Sequence, residues 1–202
     1  MITPPRYKTA RRLGASVYEK TQTPKFTLRT QQRSTKKGFS RQRTDYGVKV
    51  LEKQRVRFSY GLNERQFSRY VREANESGTK NHEEFLYSSF ESRLDNVIYR
   101  SGFAPTRQSA RQMVSHGHIL VNGKKTNMPS FKVSPQDVIA IRAGSLKKKL
   151  FENLEARLKE AVIPTWISSN PDKKEAVIQS FPKPEHPEFY STLGSILEFY
   201  RK

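Results

Sequence analysis

The sequence predicts an α+β fold. We expect a mostly helical scaffold, an inserted module of helices with a small antiparallel β-sheet, and a basic, extended N-terminal arm. Three observations support this: apolar residues recur at helical spacing after residue 45, a strong hairpin signal lies at Asn122-Gly123, and residues 1–45 show little apolar periodicity. The expected divisions are the arm at 1–45, a helical domain at 46–90, the inserted module at 91–150, and a C-terminal helix with an irregular tail at 151–202 that packs back on the helical domain.

The composition indicates a polyanionic partner. Among 202 residues, 38 Lys and Arg stand against 19 Asp and Glu, a formal net charge of +19. Such a charge repels itself in the free protein and is best explained by a polyanion such as nucleic acid. Hydrophobic residues make up 34%, a low share for a globular protein, so part of the chain is expected to pack on a partner or to stay mobile alone.

The composition also excludes several kinds of site. Cysteine is absent, which rules out disulfides and thiolate-ligated zinc or iron–sulfur centres. No apolar run approaches the ~18 residues of a membrane span. The first residues lack the apolar core of a signal peptide, but their Arg-rich, acid-poor character leaves an organellar transit peptide open.

Positive charge is concentrated in two regions. Residues 1–60 hold 16 Lys or Arg against 3 Asp or Glu, and residues 91–150 hold 11 against 3. The segments 61–90 and 151–202 each have a net charge of −1. Because these balanced segments carry most of the helical apolar pattern, the chain is predicted to be a helical scaffold that holds two basic binding regions.

The first 45 residues show little regular apolar spacing. Pro4, Pro5 and Pro24 discourage a long helix. Two interpretations stay open: a disordered basic tail, or an arm that becomes ordered against nucleic acid. Four aromatic side chains could stack on bases or ribose, or fasten the arm to the scaffold: Tyr7, Phe26, Phe39 and Tyr46.

Consecutive helices are expected next. Asp45 is the predicted cap of a helix that ends at Gly61. Asn63 with Gln66 has the spacing of a capping box, and the same pattern recurs at Asn81. Helical spacing predicts the buried faces of these and the following helix: Phe67, Tyr70, Val71, Ala74, Phe85, Leu86, Phe90, Leu94, Val97 and Ile98.

Residues 106–142 predict a compact basic module. Thr106 can cap a helix that ends at Gly117. Arg107 and Arg111 lie four residues apart, so both guanidinium groups leave the same helix face. This face suits a ligand with regularly spaced phosphates.

A β-hairpin is predicted directly after that helix. His118–Val121 is a short β-prone run, and Asn122-Gly123 is the signature of a type I′ turn, whose central residues need positive φ. Lys124-Lys125 lies beside the turn, and Val138–Ile141 is a second strand. No acidic residue occurs from 101 to 136.

The C-terminal quarter predicts two helices around an irregular segment. Apolar spacing favours an amphipathic helix over about 145–161. Residues 167–190 carry four prolines and predict irregular structure with one short strand, Ala176–Phe181. A closing helix is expected over Leu193–Tyr200.

The sequence contains no pattern typical of catalysis or of a metal centre. His82-Glu83-Glu84 lacks the second His that a metalloprotease helix needs four residues after the first. His116 and His118 have no carboxylate nearby, so hydrogen bonding or stacking on RNA suits them better than a metal. Phosphate-binding Gly-rich loops, nucleophile elbows and dinucleotide fingerprints are absent from the sequence. We therefore expect no enzymatic activity, no cofactor and no metal.

Several segments together resemble one family. One segment closely resembles the RNA-binding module named after ribosomal protein S4. It is Glu91–Lys125, ESRLDNVIYRSGFAPTRQSARQMVSHGHILVNGKK. That module also occurs in some pseudouridine synthases, tyrosyl-tRNA synthetases and heat-shock RNA-binding proteins. Four segments outside it resemble the ribosomal family itself: Arg11–Gly14, Glu52–Ala74, Pro164–Ile167 and Glu198–Arg201. The chain is therefore identified as a member of the bacterial or organellar S4 family.

Two departures limit what the resemblance implies. Many relatives carry an N-terminal cysteine cluster that binds zinc; it is missing here, so zinc is not carried over. A Pro-Gly-Gln-His-Gly type element expected near residues 33–38 is replaced by Arg-Ser-Thr-Lys-Lys-Gly. The path of the arm between Lys25 and Asp45 is therefore not carried over either.

The resemblance implies a structural constituent of the small ribosomal subunit. Such a protein would bind the 5′ domain of the 16S-type rRNA early in assembly. Its implied partners are ribosomal protein S5, at an interface linked to decoding accuracy, protein S3, and mRNA at the mouth of its channel. The implied location is the ribosome, in the cytoplasm or in an organelle, without a membrane partner.

The candidate RNA-binding residues lie on the arm, on the first scaffold helix and on the module. They are Arg6, Tyr7, Arg11, Arg12, Arg41, Arg43, Lys53, Arg55, Arg57, Arg93, Asn96, Arg100, Thr106, Arg107, Gln108, Arg111, Gln112, His116, His118, Asn122, Lys124 and Lys125.

Three other functions fit parts of the pattern. An RNA-modifying enzyme would use the module for targeting, but it needs a catalytic domain that the short, family-like flanks do not supply. A free-standing RNA chaperone would exchange between a soluble pool and ribosomal particles, whereas a ribosomal protein should remain in salt-washed subunits. A DNA-binding regulator lacks the signal of a helix-turn-helix dimer.

Overall fold

The computed structural model describes residues 5–34, 44–184 and 187–201. The chain divides into two compact units, one formed by residues 1–78 with 187–202 and the other by residues 79–186. Helices together with one antiparallel sheet confirm the predicted α+β class.

The helices and strands of the described residues are as follows. The α-helices are α1 Arg6–Leu13, α2 Pro24–Ser34, α3 Asp45–Ser59, α4 Glu64–Glu76, α5 His82–Glu91, α6 Leu94–Arg100, α7 Arg107–Ser115, α8 Leu154–Glu160 and α9 Pro187–Arg201. The strands are β1 Ile119–Val121, β2 Lys124–Thr126, β3 Val138–Ile141, β4 Ile167–Asn170 and β5 Glu175–Ile178. Short 3-10 turns lie at Ala15–Val17, Glu19–Thr21, Ala143–Ser145 and Lys149–Phe151.

The prediction of an extended N-terminal arm is wrong for the part that the structure describes. Two helices and two 3-10 turns form there, and Ala10, Leu13 and Val17 are buried. These residues follow helical spacing, and the surrounding basic residues obscured that signal. Proline is no obstacle, because Pro24 is the first residue of α2, where its missing N–H would have no partner within the helix.

The predicted helix starts and ends of the first unit are largely confirmed. Gly61 has a φ of +62° directly after α3, and the Gln66 amide donates to the Asn63 side chain at 2.7 Å, as a capping box requires. The cap of α3 is Thr44 rather than Asp45, because the Thr44 hydroxyl accepts from an amide of the first turn.

Asn81 is the N-cap residue of α5, as predicted, but it lacks the hydrogen bonds of a capping box. Its side chain accepts no backbone hydrogen bond from α5. Instead, its side-chain amide donates to the Glu84 side chain at 3.4 Å.

The second unit is built around a five-stranded sheet with the order β2-β1-β3-β5-β4, all antiparallel. Alternate strand residues face inward, and Ile119, Ile139 and Ala176 are fully buried. Helices α6 and α7 pack on each other and contribute to the same apolar core, which positions the outer face of α7.

The C-terminal region differs from the prediction in two ways. Instead of one helix over 145–161, there are two 3-10 turns and the short α8, although Phe151, Leu154 and Leu158 are buried as amphipathic spacing requires. The predicted strand is β5, which ends at Ile178, and β4 was not predicted at all. Both strands extend the sheet of the module, so the structural division does not coincide with the expected boundaries at 90 and 150.

No helix in the described part of the chain is long and apolar enough to cross a membrane.

Candidate nucleic-acid interface

Helix α7 presents one polar face because its other face is anchored in the core. The Ser109 amide donates to the Thr106 hydroxyl at 3.1 Å, which confirms the predicted cap. Ala110, Met113 and Val114 are fully buried, so the opposite side of the helix faces outward. Its side chains Arg107, Gln108, Arg111 and Gln112 are called the α7 face below.

Arg107 is held in place by two neighbours from α6. Its Nε donates to Asn96 Oδ1 at 2.7 Å, and its guanidinium carbon lies 4.5 Å from the centroid of the Tyr99 ring. A planar guanidinium stacked on an aromatic ring loses less rotational freedom when it binds a ligand. Arg107 is therefore oriented before any partner arrives.

A buried carboxylate underlies this arrangement. Glu91 is fully buried, and its two oxygens accept bonds of 2.9 and 2.8 Å from Arg100. The Asn96 side chain also donates to Glu91, at 2.7 Å. Glu91 thereby fixes Asn96, and Asn96 in turn fixes Arg107.

A second carboxylate supports the other arginine of the α7 face. Asp95 accepts from Arg93 at 3.1 and 2.7 Å, and Arg111 Nε lies 3.5 Å from the same carboxylate. The Arg111 side chain keeps 35% of its surface exposed, whereas Arg93 is only 2% exposed. A partner can therefore touch Arg111 but not Arg93.

Burial corrects the role expected for two of the candidates. Arg93 and Asn96 were candidate RNA contacts, yet each is 2% exposed and bonded within the unit. They lie under the surface that Arg100, Arg107 and Arg111 reach, so they hold that surface in place and do not touch a ligand.

The hairpin has the predicted turn. Asn122 and Gly123 have φ values of +50° and +76°, and Lys125 lies opposite Leu120 in the ladder. The Asn122 amide is used within the fold, because it donates to Asp137 and accepts from the Val138 amide, both at 2.8 Å. Asn122 therefore ties the turn to β3.

His118 is also placed inside the fold. It is 7% exposed, its Nδ1 lies 3.0 Å from Ser145 Oγ, and its ring meets the Phe151 ring edge-on. Burial lowers the pKa of His118, and the positive charges of Lys148, His116, Arg142 and Lys125 lower it further. A neutral imidazole is favoured here, and the expected RNA contact by His118 is corrected to a structural one. His116 remains exposed.

In the first unit, α1 carries the candidates Arg6, Tyr7, Arg11 and Arg12. Arg11 and Arg12 are exposed in its last turn. Tyr7 is 57% exposed, with its ring 6.0 Å from that of Phe26. Arg41 and Arg43 lie outside the described residues.

The basic residues of α3 are engaged in the first unit. Lys53 Nζ donates to Glu64 at 2.7 Å and lies over the Phe199 ring at 5.1 Å. Arg55 donates to the Leu13 carbonyl at 2.9 Å. Arg57 bonds Gln54 and lies 3.4 Å from Glu64. These side chains join α3 to α1, α4 and α9.

Glu64 is the centre of those contacts. Tyr200 Oη also donates to it, at 2.7 Å. Burial alone would raise the pKa of Glu64, but hydrogen bonds from Lys53 and Tyr200 outweigh burial and bring it below its usual value. The charge of Lys53 is thus largely neutralised by the Glu64 carboxylate.

Four basic residues that the candidate set does not contain are exposed after β3. They are Arg142, Lys147, Lys148 and Lys149. The signal that could have found them is the triple-lysine run within the acid-free stretch 138–151. None of the four forms an ion pair with another described residue.

Nothing in the described ranges groups three or more His, Asp or Glu side chains as a metal centre would require. What the surface offers is basic groups held at fixed positions, which suits the binding of phosphate.

Comparison with known proteins gives consistent matches over the whole chain. A family model described as "Ribosomal protein S4/S9 N-terminal domain" matches residues 2–91, and one described as "S4 domain" matches residues 92–139. "Small ribosomal subunit protein uS4" of Aquifex aeolicus is 41% identical over 209 residues, which cover 98% of this chain and 97% of that protein.

Two other proteins named "Small ribosomal subunit protein uS4" are similarly close. That of Corynebacterium ammoniagenes is 43% identical over 159 residues, 79% of each chain. That of Herpetosiphon aurantiacus is 44% identical over 168 residues, 80% of this chain and 77% of that protein.

Proposed function

The chain belongs to the ribosomal protein S4 family, and we infer that it is a structural, non-enzymatic component of the small ribosomal subunit that binds ribosomal RNA. Its relatives are named as small-subunit proteins. Its net charge of +19 suits a polyanionic partner.

The α7 face is the observation that carries the RNA-binding part of this proposal. Arg107 is oriented by Asn96 and Tyr99, and Arg111 by Asp95, so both guanidinium groups leave the helix in fixed positions. Arginine can bind a phosphate through two parallel N–H groups, which lysine cannot reproduce. Fixed arginines four residues apart therefore suit two backbone phosphates.

Recognition should depend on the shape of the RNA. The major groove of an A-form helix is too narrow for side chains, so phosphates, ribose and unstacked bases are the accessible groups. The site is proposed to read a folded junction within the 5′ domain of the small-subunit rRNA, and to bind it early in assembly. Phosphate contacts should supply most of the affinity and make it sensitive to salt.

The candidate contacts with exposed side chains belong to this proposal. In the second unit they are Gln108, Gln112, His116, Lys124 and Lys125, together with the three partly exposed arginines Arg100, Arg107 and Arg111. In the first unit they are Tyr7, Arg11 and Arg12, together with the partly exposed Arg6. Arg41 and Arg43 remain candidates by sequence alone.

The resemblance also supports finer proposals about partners. These are contacts with ribosomal proteins S5 and S3, an influence on decoding accuracy through S5, and a position beside mRNA at the mouth of its channel. The proposed location is the ribosome, in the cytoplasm or in an organelle. Family resemblance is the support for each of them.

Sucrose-gradient fractionation with high-salt washing tests the central proposal. A tagged copy should remain in the small subunit at one copy per particle after washing. Recovery mainly in a soluble pool that exchanges with particles would favour an RNA chaperone instead. Binding of the purified chain to a 5′-domain transcript, with a transcript of another rRNA domain as the control, tests the choice of RNA.

A further inference from the structure

Four exposed cationic or titratable residues lie close to the buried His118 of the second unit. They come from four separate elements, which are the end of α7, strand β2, the residue after β3, and the turn before Lys149–Phe151. The group, called the basic corner below, consists of His116, Lys125, Arg142 and Lys148.

Backbone contacts bring these elements together. The Arg142 amide donates to the His118 carbonyl at 2.9 Å, which places Arg142 beside His118. The Lys148 amide donates to the carbonyl of Ser145 at 3.0 Å, and the Ser145 hydroxyl lies 3.0 Å from His118 Nδ1. The His116 ring centroid is 6.0 Å from that of His118.

Gly117 lets Lys125 approach this group. Its φ is +68°, and the Lys125 side chain crosses the space that a Cβ at this position would occupy. A side chain at residue 117 would displace that lysine and strain the backbone as well. The glycine thus ends α7 and also admits the β2 lysine to the corner.

The charge of the basic corner is not neutralised within the described structure. Lys125, Arg142 and Lys148 have no carboxylate partner there, and residues 138–151 contain no acid. The α7 face differs, because Asp95 lies 3.5 Å from its Arg111. Like charges held together without a counterion raise the free energy of the unbound protein, and a bound anion relieves it.

The cations of the basic corner are not needed to cap the C-terminal end of α7. Its last carbonyls, those of Gln112, Met113 and Val114, already accept from the amides of residues 116, 118 and 117. Nor does the corner resemble a protein-binding site, since such sites centre on large apolar or aromatic anchors. The groups that line it are two lysines, an arginine and a histidine.

We propose that the basic corner binds two neighbouring phosphates of an RNA backbone, as a contact separate from the α7 face. The proposal rests on the proposed function, because the RNA is the one that the whole chain binds. Two adjacent phosphodiesters carry negative charges a short distance apart. This spacing suits Lys125, Arg142 and Lys148, which lie on three different elements near the buried His118 ring.

The test compares three full-length variants for binding to a 5′-domain transcript over a range of KCl concentrations. The corner variant carries Lys125→Gln, Arg142→Gln and Lys148→Gln. The matched control carries Lys80→Gln, Lys159→Gln and Lys173→Gln, which are exposed lysines of the same unit with no ion pair in its described part. A charge-preserving variant carries Lys125→Arg, Arg142→Lys and Lys148→Arg.

The corner variant should reduce the magnitude of the slope of log affinity against log salt by about 1.4 to 1.8, since each of the two phosphate contacts contributes about 0.7 to 0.9. Hydroxyl-radical footprinting should show loss of protection over one short backbone segment, with the rest of the footprint intact. The charge-preserving variant should keep the slope and the footprint. Thermal melting shows whether each variant is folded.

A slope equal to that of the Lys80, Lys159 and Lys173 control, with an unchanged footprint, would overturn the proposal. So would unchanged RNA binding with loss of a neighbouring protein from reconstituted subunits, because the partner would then be an acidic protein. If the unaltered chain fails to bind the transcript, the proposed function itself fails. The two failures are therefore distinguishable.

Discussion

Arg107 and Asn96 are joined by a 2.7 Å hydrogen bond from Nε to Oδ1, and this bond connects the outer surface of α7 to a buried carboxylate. Asn96 donates in turn to Glu91, which is fully buried. A side chain that no ligand can touch thereby sets the direction of one that a ligand can. The proposed binding by Arg107 and the folding of the second unit therefore depend on the same hydrogen bonds.

Asn96→Ala should weaken both the stability of the fold and RNA binding. It removes the acceptor of Arg107 and one donor to the buried carboxylate of Glu91, and hydrogen bonds to charged groups contribute about 1.5 to 3 kcal/mol. Urea denaturation should show a loss in that range, and the folded variant should bind the 5′-domain transcript more weakly. Asn153→Ala, at an exposed residue whose side chain caps no helix, is the control and should change neither. Equal RNA affinity in the two variants would show that Asn96 does not orient Arg107.

Arg107→Ala combined with Arg111→Ala should reduce RNA affinity and leave the fold intact. Both side chains lie on the outward side of α7, so their loss opens no cavity, and the lost donor to the buried Asn96 Oδ1 should cost only about 1 to 3 kcal/mol. The magnitude of the salt slope should fall by about 1.4 to 1.8 if each arginine binds one phosphate. Arg107→Lys with Arg111→Lys keeps the charge and should restore only part of the affinity, because lysine cannot make the two-pronged contact. Unchanged affinity of the alanine variant at moderate salt would reject the α7 face as a docking surface.

Asp95→Asn should strongly destabilise the second unit. The change removes the negative charge that pairs with the Arg93 guanidinium, which is 2% exposed, and removing one member of a buried ion pair costs about 3 to 5 kcal/mol. Glu155→Gln is the matched control. The Glu155 side chain is 74% exposed and pairs with Lys174 at 3.3 Å, so its loss should cost under about 1 kcal/mol. Chemical denaturation of the two variants gives the comparison, and similar costs would contradict the buried pairing.

Local signals were sufficient to predict α7 and its hairpin. Thr106 at the start of the helix and Asn122-Gly123 at the turn act within a few residues, so the sequence shows them directly. Strand β4 had no such signal. Its pattern ISSN is polar, and it becomes a strand because β5 pairs with it.

The supporting side chains of the site could not be predicted for a similar reason. Arg93, Asn96 and His118 are polar residues in a basic stretch, and that composition predicts exposure. They are buried because Asp95, Glu91 and Ser145 satisfy their polar groups, and such pairings depend on the tertiary fold. Charge indicated which part of the chain is basic, but it could not separate the residues on the surface there from those beneath it.

His118 should make the stability of the second unit depend on pH. Burial, followed by Lys148, His116, Arg142 and Lys125, holds its pKa below the ordinary value near 6.5. Between the lowered pKa and about 6.5, the unfolded chain binds a proton that the folded chain does not. The contribution of His118 to the free energy of unfolding is therefore fully present above about pH 6.5, and it is lost as the pH falls toward the pKa of His118 in the folded chain.

The measurement is the urea midpoint at pH 7.5 and pH 5.5 for the unaltered chain and for His118→Gln, which cannot take up the proton. The variant should be less stable at pH 7.5, because it loses the contacts with Ser145 and Phe151, but its midpoint should fall less between the two pH values. His82→Gln is the control and should keep the full fall. Titration of the His118 ring by NMR gives the pKa directly, and Lys148→Met should raise it, because one neighbouring positive charge is removed. A His118 that titrates at 6.5 or above in the folded chain would contradict the arrangement of the basic corner, since neither its burial nor its four neighbours would then be acting on the ring.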